Sequence, residues 1–266
     1  MSTSILSNPI PSQSNDVSKY AIEVKNLTVG YGSRVLMQNL NFTVNNGEIF
    51  VILGGSGCGK SSLLKNLFGL YQPLAGDVWI EGQNITTAQG AERQHIMTGF
   101  GVMYQQGALF GSMNLLENVT LFMQEYTQLT QMQMDLLARC KLDLVGLLPY
   151  ESYMPNEISG GMQKRAAIAR AMALNPRILF LDEPSAGLDP ITSADLDQTI
   201  MDLSKNLGIT FVIVSHELAS IYAIADKVIM LDKAAKGIIA EGDPKVLRDT
   251  STDPRVHQFF NRIMSK

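Results

Sequence analysis

Gly54-Gly55-Ser56-Gly57-Cys58-Gly59-Lys60-Ser61, with Ser62 directly after it, is the stretch on which the fold assignment turns. It fits G-x-x-x-x-G-K-[ST] without gaps, and it lies between the apolar run Ile49–Leu53 and an amphipathic segment that starts near Lys60. A continuous apolar run of that kind suits a central strand covered on both faces. The glycines let the backbone curl so that N–H groups point at phosphate oxygens, and the start of a helix adds a favourable dipole. In such a loop Lys60 neutralises the β- and γ-phosphates and the Ser61 hydroxyl ligates Mg2+. Cys58 reads as a small residue that fits the loop rather than as a reactive thiolate.

On both sides of the loop, buried-strand and amphipathic-helix patterns alternate, which predicts an α/β fold. Ile22–Val29 and Val35–Val44 read as strands of an edge sheet closed by an Asn45-Asn46-Gly47 turn; Gly76–Ile80 and Phe100–Tyr104 are further strands. From about 106 to 176 the pattern is helical, and clearest over Met132–Leu144 and Ser159–Leu174. Strands return at Ile178–Leu181, Thr210–Val214, Lys227–Leu231 and Gly237–Glu241, with helices over Ile191–Leu207 and Glu217–Ala225. The expectation is a mostly parallel P-loop core with an antiparallel N-terminal edge sheet and an inserted helical lobe. Residues 1–19 read as a flexible leader, 20–252 as the catalytic domain and 253–266 as a helical tail, with Val256, Phe259, Phe260 and Ile263 on one side.

Composition narrows the class. With 45% apolar and 17% charged residues among 266, the bulk of the chain is globular rather than disordered. Net charge is −4 and basic residues cluster no further than pairs such as Lys164-Arg165, which disfavours a nucleic-acid binder. Two cysteines, Cys58 and Cys140, build neither a disulfide framework nor a four-ligand zinc site. No apolar run approaches the ~20 residues of a membrane span. The first 18 residues lack the basic and apolar regions of a signal peptide, so a cytosolic chain is expected.

The second half carries the remaining chemistry. Ile178-Leu-Phe-Leu181 is a buried strand ending in Asp182-Glu183, and strand C-termini of a parallel sheet gather at the ligand crevice. There Asp182 would hold Mg2+ and Glu183 would act as general base on the attacking water. Ile158-Ser159-Gly160-Gly161-Met162 opens what reads as the longest amphipathic helix, a second exposed anion-binding N-terminus. Two phosphate-facing surfaces on one chain are what two copies need to sandwich nucleotide head to tail.

In this order the motifs resemble those of the nucleotide-binding subunit of ABC transporters. Gly54–Ser61 resembles the Walker A, Ile158–Met162 the signature, Leu179–Glu183 the Walker B with its catalytic glutamate, and Ser185–Asp189 the D-loop. Gln105 resembles the Q-loop glutamine, His216 the switch histidine, and Tyr31 the aromatic that stacks on adenine. The resemblance implies that Gln105 reaches Mg2+ or the lytic water, with Gln106 the competing assignment, and that His216 bonds the γ-phosphate. It implies ATP and Mg2+ as ligands, a second copy of the chain and an integral-membrane permease as partners, and a place on the cytoplasmic face of an inner membrane. Leu109, Phe110, Met113, Leu115 and Leu116 would form an apolar rim for a permease helix or pack as lobe core. Likewise the tail would clamp the opposite subunit or cover its own core.

The signature departs from LSGGQ at Met162. With Tyr104–Phe110, Asp189–Thr192 and Asp253–Val256, that departure is similar to the Mla/Mce branch, which drives phospholipid or hydrophobic-substrate traffic across the bacterial envelope with an MCE-type substrate-binding protein. Small-solute importers of the glycine betaine type, which also carry SGGM, and soluble ABC ATPases without a permease are the alternatives. No N-K-x-D string supports a GTPase, and one Walker A with one signature excludes a double cassette.

Overall fold

The computed structural model describes residues 18–261. β1 (Tyr20–Tyr31) and β2 (Arg34–Asn45) form an antiparallel hairpin, followed by β3 (Ile49–Gly54), α1 (Lys60–Leu67), β4 (Ala75–Ile80) and the two-residue β5 (Gln83–Asn84). β4 returns to pair antiparallel with β1, giving a four-stranded sheet of order β2-β1-β4-β5. Its pairing puts Ile22 opposite both Val44 and Ile80, and Val24 opposite both Phe42 and Val78, and all six are buried. The alternation seen in the sequence therefore seals one face of this sheet.

α2 (Gly90–Thr98) had no sequence signal. It buries only Ile96, so no apolar stripe marks it. After β6 (Phe100–Met103) come α3 (Leu115–Tyr126), α4 (Gln131–Leu144) and α5 (Gly160–Ala171), the helical lobe. α3 starts with a capping box in which Asn114 accepts the Glu117 N–H and Glu117 accepts the Asn114 N–H. β7 (Ile178–Asp182), α6 (Pro190–Leu207), β8 (Thr210–Val214), α7 (Leu218–Ile224), β9 (Lys227–Asp232), β10 (Gly237–Gly242), α8 (Pro244–Thr250) and α9 (Pro254–Asn261) complete the described chain. α5, expected to be the longest helix, has 12 residues against 18 for α6.

The main sheet has the order β10-β9-β3-β8-β7-β6, parallel except for β10. β3 lies inside it, and every one of its residues is buried. Phe50 and Ile52 join a core shared with the antiparallel sheet and α1, where Phe42 stacks on Phe50 at 5.4 Å. Ile49, Val51 and Leu53 face the second core, built from the lobe helices, α6, α7 and the C-terminal helices. The five-residue apolar run is thus a two-period strand with a different core on each side.

The tail packs on its own chain over the described residues. Val256 and Phe260 are buried in the second core, and the Tyr222 hydroxyl donates to the Phe260 carbonyl at 3.1 Å. Ile263 lies outside the described residues, as does the leader up to residue 17. Among the described residues no helix is long and apolar enough to cross a membrane.

Candidate functional site

β3, β7 and β8 are neighbours in the sheet, so their C-terminal ends deliver three segments to one place: Gly54–Ser61, Asp182-Glu183 and Ser215-His216. A cavity of about 610 Å3 opens there. The loop from Gly54 to Ser62 lines it, apart from Cys58, together with Glu183 and His216. Cys58 turns inward instead: it is 3% exposed, and burial pushes its thiol up, opposed by the charge of Lys60. That is the behaviour of a packed small residue rather than of a reactive thiolate.

The loop's glycines have local reasons. Gly59 stands at the N-cap of α1 with φ 105°, a conformation L side chains rarely adopt. At Gly54 an added Cβ would lie 2.6 Å from both the Leu231 carbonyl oxygen and Cys58 Sγ. Lys60 Nζ folds back over the loop and donates to the carbonyls of Gly54 (2.9 Å) and Gly55 (3.2 Å). The Ser61 hydroxyl donates to Asp182 Oδ1 at 3.0 Å. Burial raises the Asp182 carboxyl above the usual range; the Ser61 donation opposes that, and the Glu183 charge adds to it.

Glu183 sits in the left-handed region at φ 48°, which for a non-glycine residue costs about 1–3 kcal/mol. Its N–H donates to the Val214 carbonyl of β8 at 2.9 Å, and its own carbonyl accepts the Ala186 N–H at 3.1 Å. The carboxylate is held from two sides: Gln105 Nε2 donates to Oε2 at 3.1 Å, and His216 Nδ1 lies 3.4 Å from Oε1. β6 stops at Met103, one residue before the expected end, with Tyr104 between the strand and Gln105. Gln105, not Gln106, makes the contact with Glu183.

Two cations that sequence reasoning left unassigned secure the segment carrying Gln105. Lys164 Nζ donates to the Gln105 carbonyl, while Arg170 donates to the carbonyls of Gly107 (3.0 Å) and Ala108. Both come from α5, both are under a tenth exposed, and burial lowers both from their ordinary values. Their only sequence signal was that they fall on the buried face of an amphipathic helix. Leu36 and Phe259 were also missed as cavity-lining residues, because strand and tail bring them in from distant sequence.

Tyr31 lies at the end of β1, its hydroxyl 2.9 Å from Ser62 Oγ and its ring half exposed, edge-on to Tyr71. Ser159 caps α5 by accepting the Met162 N–H at 3.3 Å, so Ser159, Gly160 and Gly161 form a separate surface that does not line the cavity. Gly161 has a packing reason of its own: an added Cβ would lie 2.2 Å from Thr192 Cγ2 on α6. One chain therefore brings together the phosphate loop, Asp182, Glu183, His216, Gln105 and, at the rim, Tyr31, and leaves the signature apart.

The protein family described as ABC transporter matches residues 37–186. The chain belongs to the ABC transporter family. It is 42% identical to the probable ribonucleotide transport ATP-binding protein mkl of Mycobacterium leprae, over 91% of this chain and 69% of that one. Against the intermembrane phospholipid transport system ATP-binding protein MlaF it is 37% identical in Escherichia coli K12, over 91% of this chain and 89% of that one. In Haemophilus influenzae the figures are 39%, 90% and 89%. A solved dimeric ATP-binding cassette in a post-hydrolysis state with ADP and Pi matches with a TM-score of 0.73 and 29% identity, over 84% of this chain and 98% of that one. cbiO1 of Clostridium perfringens, part of an ABC transporter complex, matches at 0.79 and 25%, over 93% and 96%. This ABC chain is an ATPase, and nucleotide is its ligand.

The ABC chain has a second concavity, of about 440 Å3, where α2, β6, α3 and α5 meet. Met97, Phe100, Tyr104, Phe122 and Tyr126 give it an apolar wall, and Arg170 lies at its base. The rim expected from sequence is elsewhere. Leu115 is fully buried, and Leu109 and Leu116 pack against the lobe core, while Phe110 is exposed beside the Arg170 guanidinium. Of the two readings of those residues, core packing holds for Leu115, with Leu109 and Leu116 partly buried against the same core.

Proposed function

We propose that this ATPase drives phospholipid or other hydrophobic-substrate transport across a bacterial envelope, bound under an inner-membrane permease and working as a head-to-tail dimer. The observation that carries the catalytic part is the convergence of Lys60, Ser61, Asp182, Glu183, Gln105 and His216 at the ends of four adjacent strands, β3, β8, β7 and β6. Lys60, held over the loop by two carbonyls, would transfer its donors to the β- and γ-phosphates. Tyr31 would carry the adenine on its exposed ring. Glu183 would take the proton of the attacking water, kept in place by Gln105 and His216.

The donor set fits Mg2+. Ser61 Oγ and Asp182 Oδ1 are hard oxygen ligands already 3.0 Å apart, and Gln105, the further ligand expected from sequence, stands beside Glu183. No cluster of three or more His, Cys, Asp or Glu side chains among the described residues forms a closed cage. An ion held there would keep waters and share substrate phosphates, and would supply neutralisation of the charge that develops on the departing ADP.

Ser159, Gly160 and Gly161 would complete the site of a second copy, since a capped helix start facing away from its own cavity has donors to offer another chain's γ-phosphate. The solved dimeric cassette with ADP and Pi supports that arrangement. The apolar concavity beside Tyr104-Gln105 is where a permease helix would dock, next to the segment that touches Glu183. For the substrate, MlaF matches over 89% of its own length, and its name states intermembrane phospholipid transport; an MCE-type envelope protein is the corresponding further partner. The leader, domain and tail boundaries read from sequence are proposed with it.

The test is purification from native membranes by a gentle affinity step, with identification of co-purifying proteins and lipids. A permease with an envelope protein and bound phospholipid is the expected result. A permease with a small-solute binding protein rejects the lipid substrate, and a soluble homodimer alone rejects the transporter.

A further inference from the structure

Between the loop that carries Glu183 and the loop that carries His216 lies a second, much smaller cavity, of about 10 Å3, close to the space of one water molecule. Its polar walls are Ser185, Asp197, Ser215 and Ser220, each less than a tenth exposed. Ser185 follows Glu183 by two residues, Ser215 directly precedes His216, and Ser220 stands on α7, which begins two residues after His216. Asp197 projects among them from the third turn of α6.

A carboxylate has no cheap reason to be there. Its neighbours on the buried face of α6 are Leu196, Ile200 and Leu203, and an apolar side chain would avoid the cost of desolvating a charge. Among the described residues Asp197 has no ion-pair partner. It shares the cavity with Ser220, whose hydroxyl lies 3.5 Å from Ser193 Oγ, one turn before Asp197 on α6. On the far wall, Ser215 Oγ accepts the Glu217 N–H at 3.1 Å and so fixes the backbone on both sides of His216.

The two catalytic side chains need that support. His216 is more than half exposed, with its Nδ1 3.4 Å from Glu183 Oε1, so its place is set by the backbone of Ser215 and Glu217. Glu183 is held in a left-handed conformation. α7 has only seven residues, too few to be stable without tertiary anchoring. We propose that Asp197 is a positioning residue for hydrolysis: through Ser220 and the polar cavity shared with Ser185 and Ser215, it locks α7 to α6 and so sets His216 against Glu183. This rests on the roles proposed above for those two residues.

The test uses the full chain with Asp197→Leu, Asp197→Asn, Ser220→Ala and, as a control, Glu183→Gln. It measures kcat, KM for ATP, nucleotide affinity and unfolding midpoint for each. Asp197→Asn, which keeps an acceptor oxygen facing the polar cavity, is expected to keep kcat within about twofold of wild type. Asp197→Leu should lower kcat about tenfold or more, the scale of a small misplacement, with KM, affinity and midpoint little changed. Ser220→Ala should lower kcat as well, and should add nothing in the Asp197→Leu background. The proposal is overturned by wild-type kcat in Asp197→Leu, by an equal loss in Asp197→Asn, or by losses confined to affinity or folding. Should Asp197→Leu not fold, Ser220→Ala decides alone: a wild-type kcat overturns the proposal, and a selective kcat loss supports it. Turnover retained in Glu183→Gln would instead remove the catalytic reading beneath it, whatever Asp197 does.

Discussion

Gln105 Nε2 donates to Glu183 Oε2 at 3.1 Å, joining the segment after β6 to the end of β7 across the C-terminal edge of the sheet. On the opposite side of the same carboxylate His216 Nδ1 stands 3.4 Å from Oε1. A carboxylate that accepts from an amide on one side and has an imidazole on the other keeps one orientation, as the proposed role of general base requires. The same Gln105 has its carbonyl held by Lys164 from α5, so the base is mechanically tied to the helix that carries the signature.

Glu183→Gln should therefore bind ATP at near wild-type affinity while turnover falls by about 10²–10⁴, the usual worth of a positioned base. Gln105→Ala should lose about tenfold, because the carboxylate stays but loses an orienting partner. Steady-state turnover beside equilibrium nucleotide binding checks both. A Gln105→Ala loss as deep as that of Glu183→Gln would mean the amide does more than orient.

Gly161 gives a prediction with a built-in rescue. Its added Cβ would lie 2.2 Å from Thr192 Cγ2, and the Thr192 hydroxyl is fixed to Asp189 Oδ2 at 2.5 Å, so the methyl cannot turn away. Gly161→Ala should cost about 1–3 kcal/mol of stability by overpacking α5 against α6, and should cut turnover by displacing the signature. Thr192→Ser removes the methyl and keeps the hydroxyl bond. The double variant should recover most of the stability; if it gains none, the clash is not the cause.

The sheet and the nucleotide cavity were legible because they are written in local signals. Ile49–Leu53 reads as a buried strand at once, and the glycine spacing from Gly54 to Gly59 follows from backbone conformations that the loop itself requires. Asp182 and Glu183 were legible for the same reason, as polar residues ending an apolar run. What stayed hidden depends on contacts between distant segments. α2 buries one side chain and so carries no period, and Lys164 and Arg170 look like ordinary helix charges until the carbonyls of 105, 107 and 108 come to meet them. Leu115, read as a possible docking rim, is core because it begins the stripe Leu115, Val119 and Met123 that α3 packs into the lobe core.

Phe259 and Phe260 are adjacent on α9 and should separate two effects. Phe260 is 3% exposed in the core beneath Tyr222, whereas Phe259 lines the cavity beside Lys60 and Ser61 that is proposed to take nucleotide. Phe260→Ala should lower stability by about 3–5 kcal/mol, read as an earlier denaturant midpoint at unchanged slope. Phe259→Ala should leave that midpoint within about 1 kcal/mol and shift nucleotide affinity instead. Equal effects on stability would show that the helix acts only as a cover for its own core.

Asp197 predicts a pH dependence of stability whose sign follows from its burial. Desolvation raises its carboxyl above the ordinary 3.8, the Ser220 donation works against that, and the Glu217 charge adds to it. Below the unfolded value the group is protonated in both states and imposes no penalty. As pH rises through the higher folded value, the native state must ionise a buried carboxyl that the unfolded chain ionises readily, and wild-type stability falls relative to a side chain that does not titrate. Asp197→Asn keeps the shape and the acceptor, so its midpoint minus that of wild type should grow as pH rises above the ordinary carboxylate value and level off above the raised folded one. Because the other titrating groups are common to both proteins, they cancel in that difference. A gap that shrinks with rising pH would mean the folded state stabilises the ionised carboxylate, and a charged partner for Asp197 would have to be found.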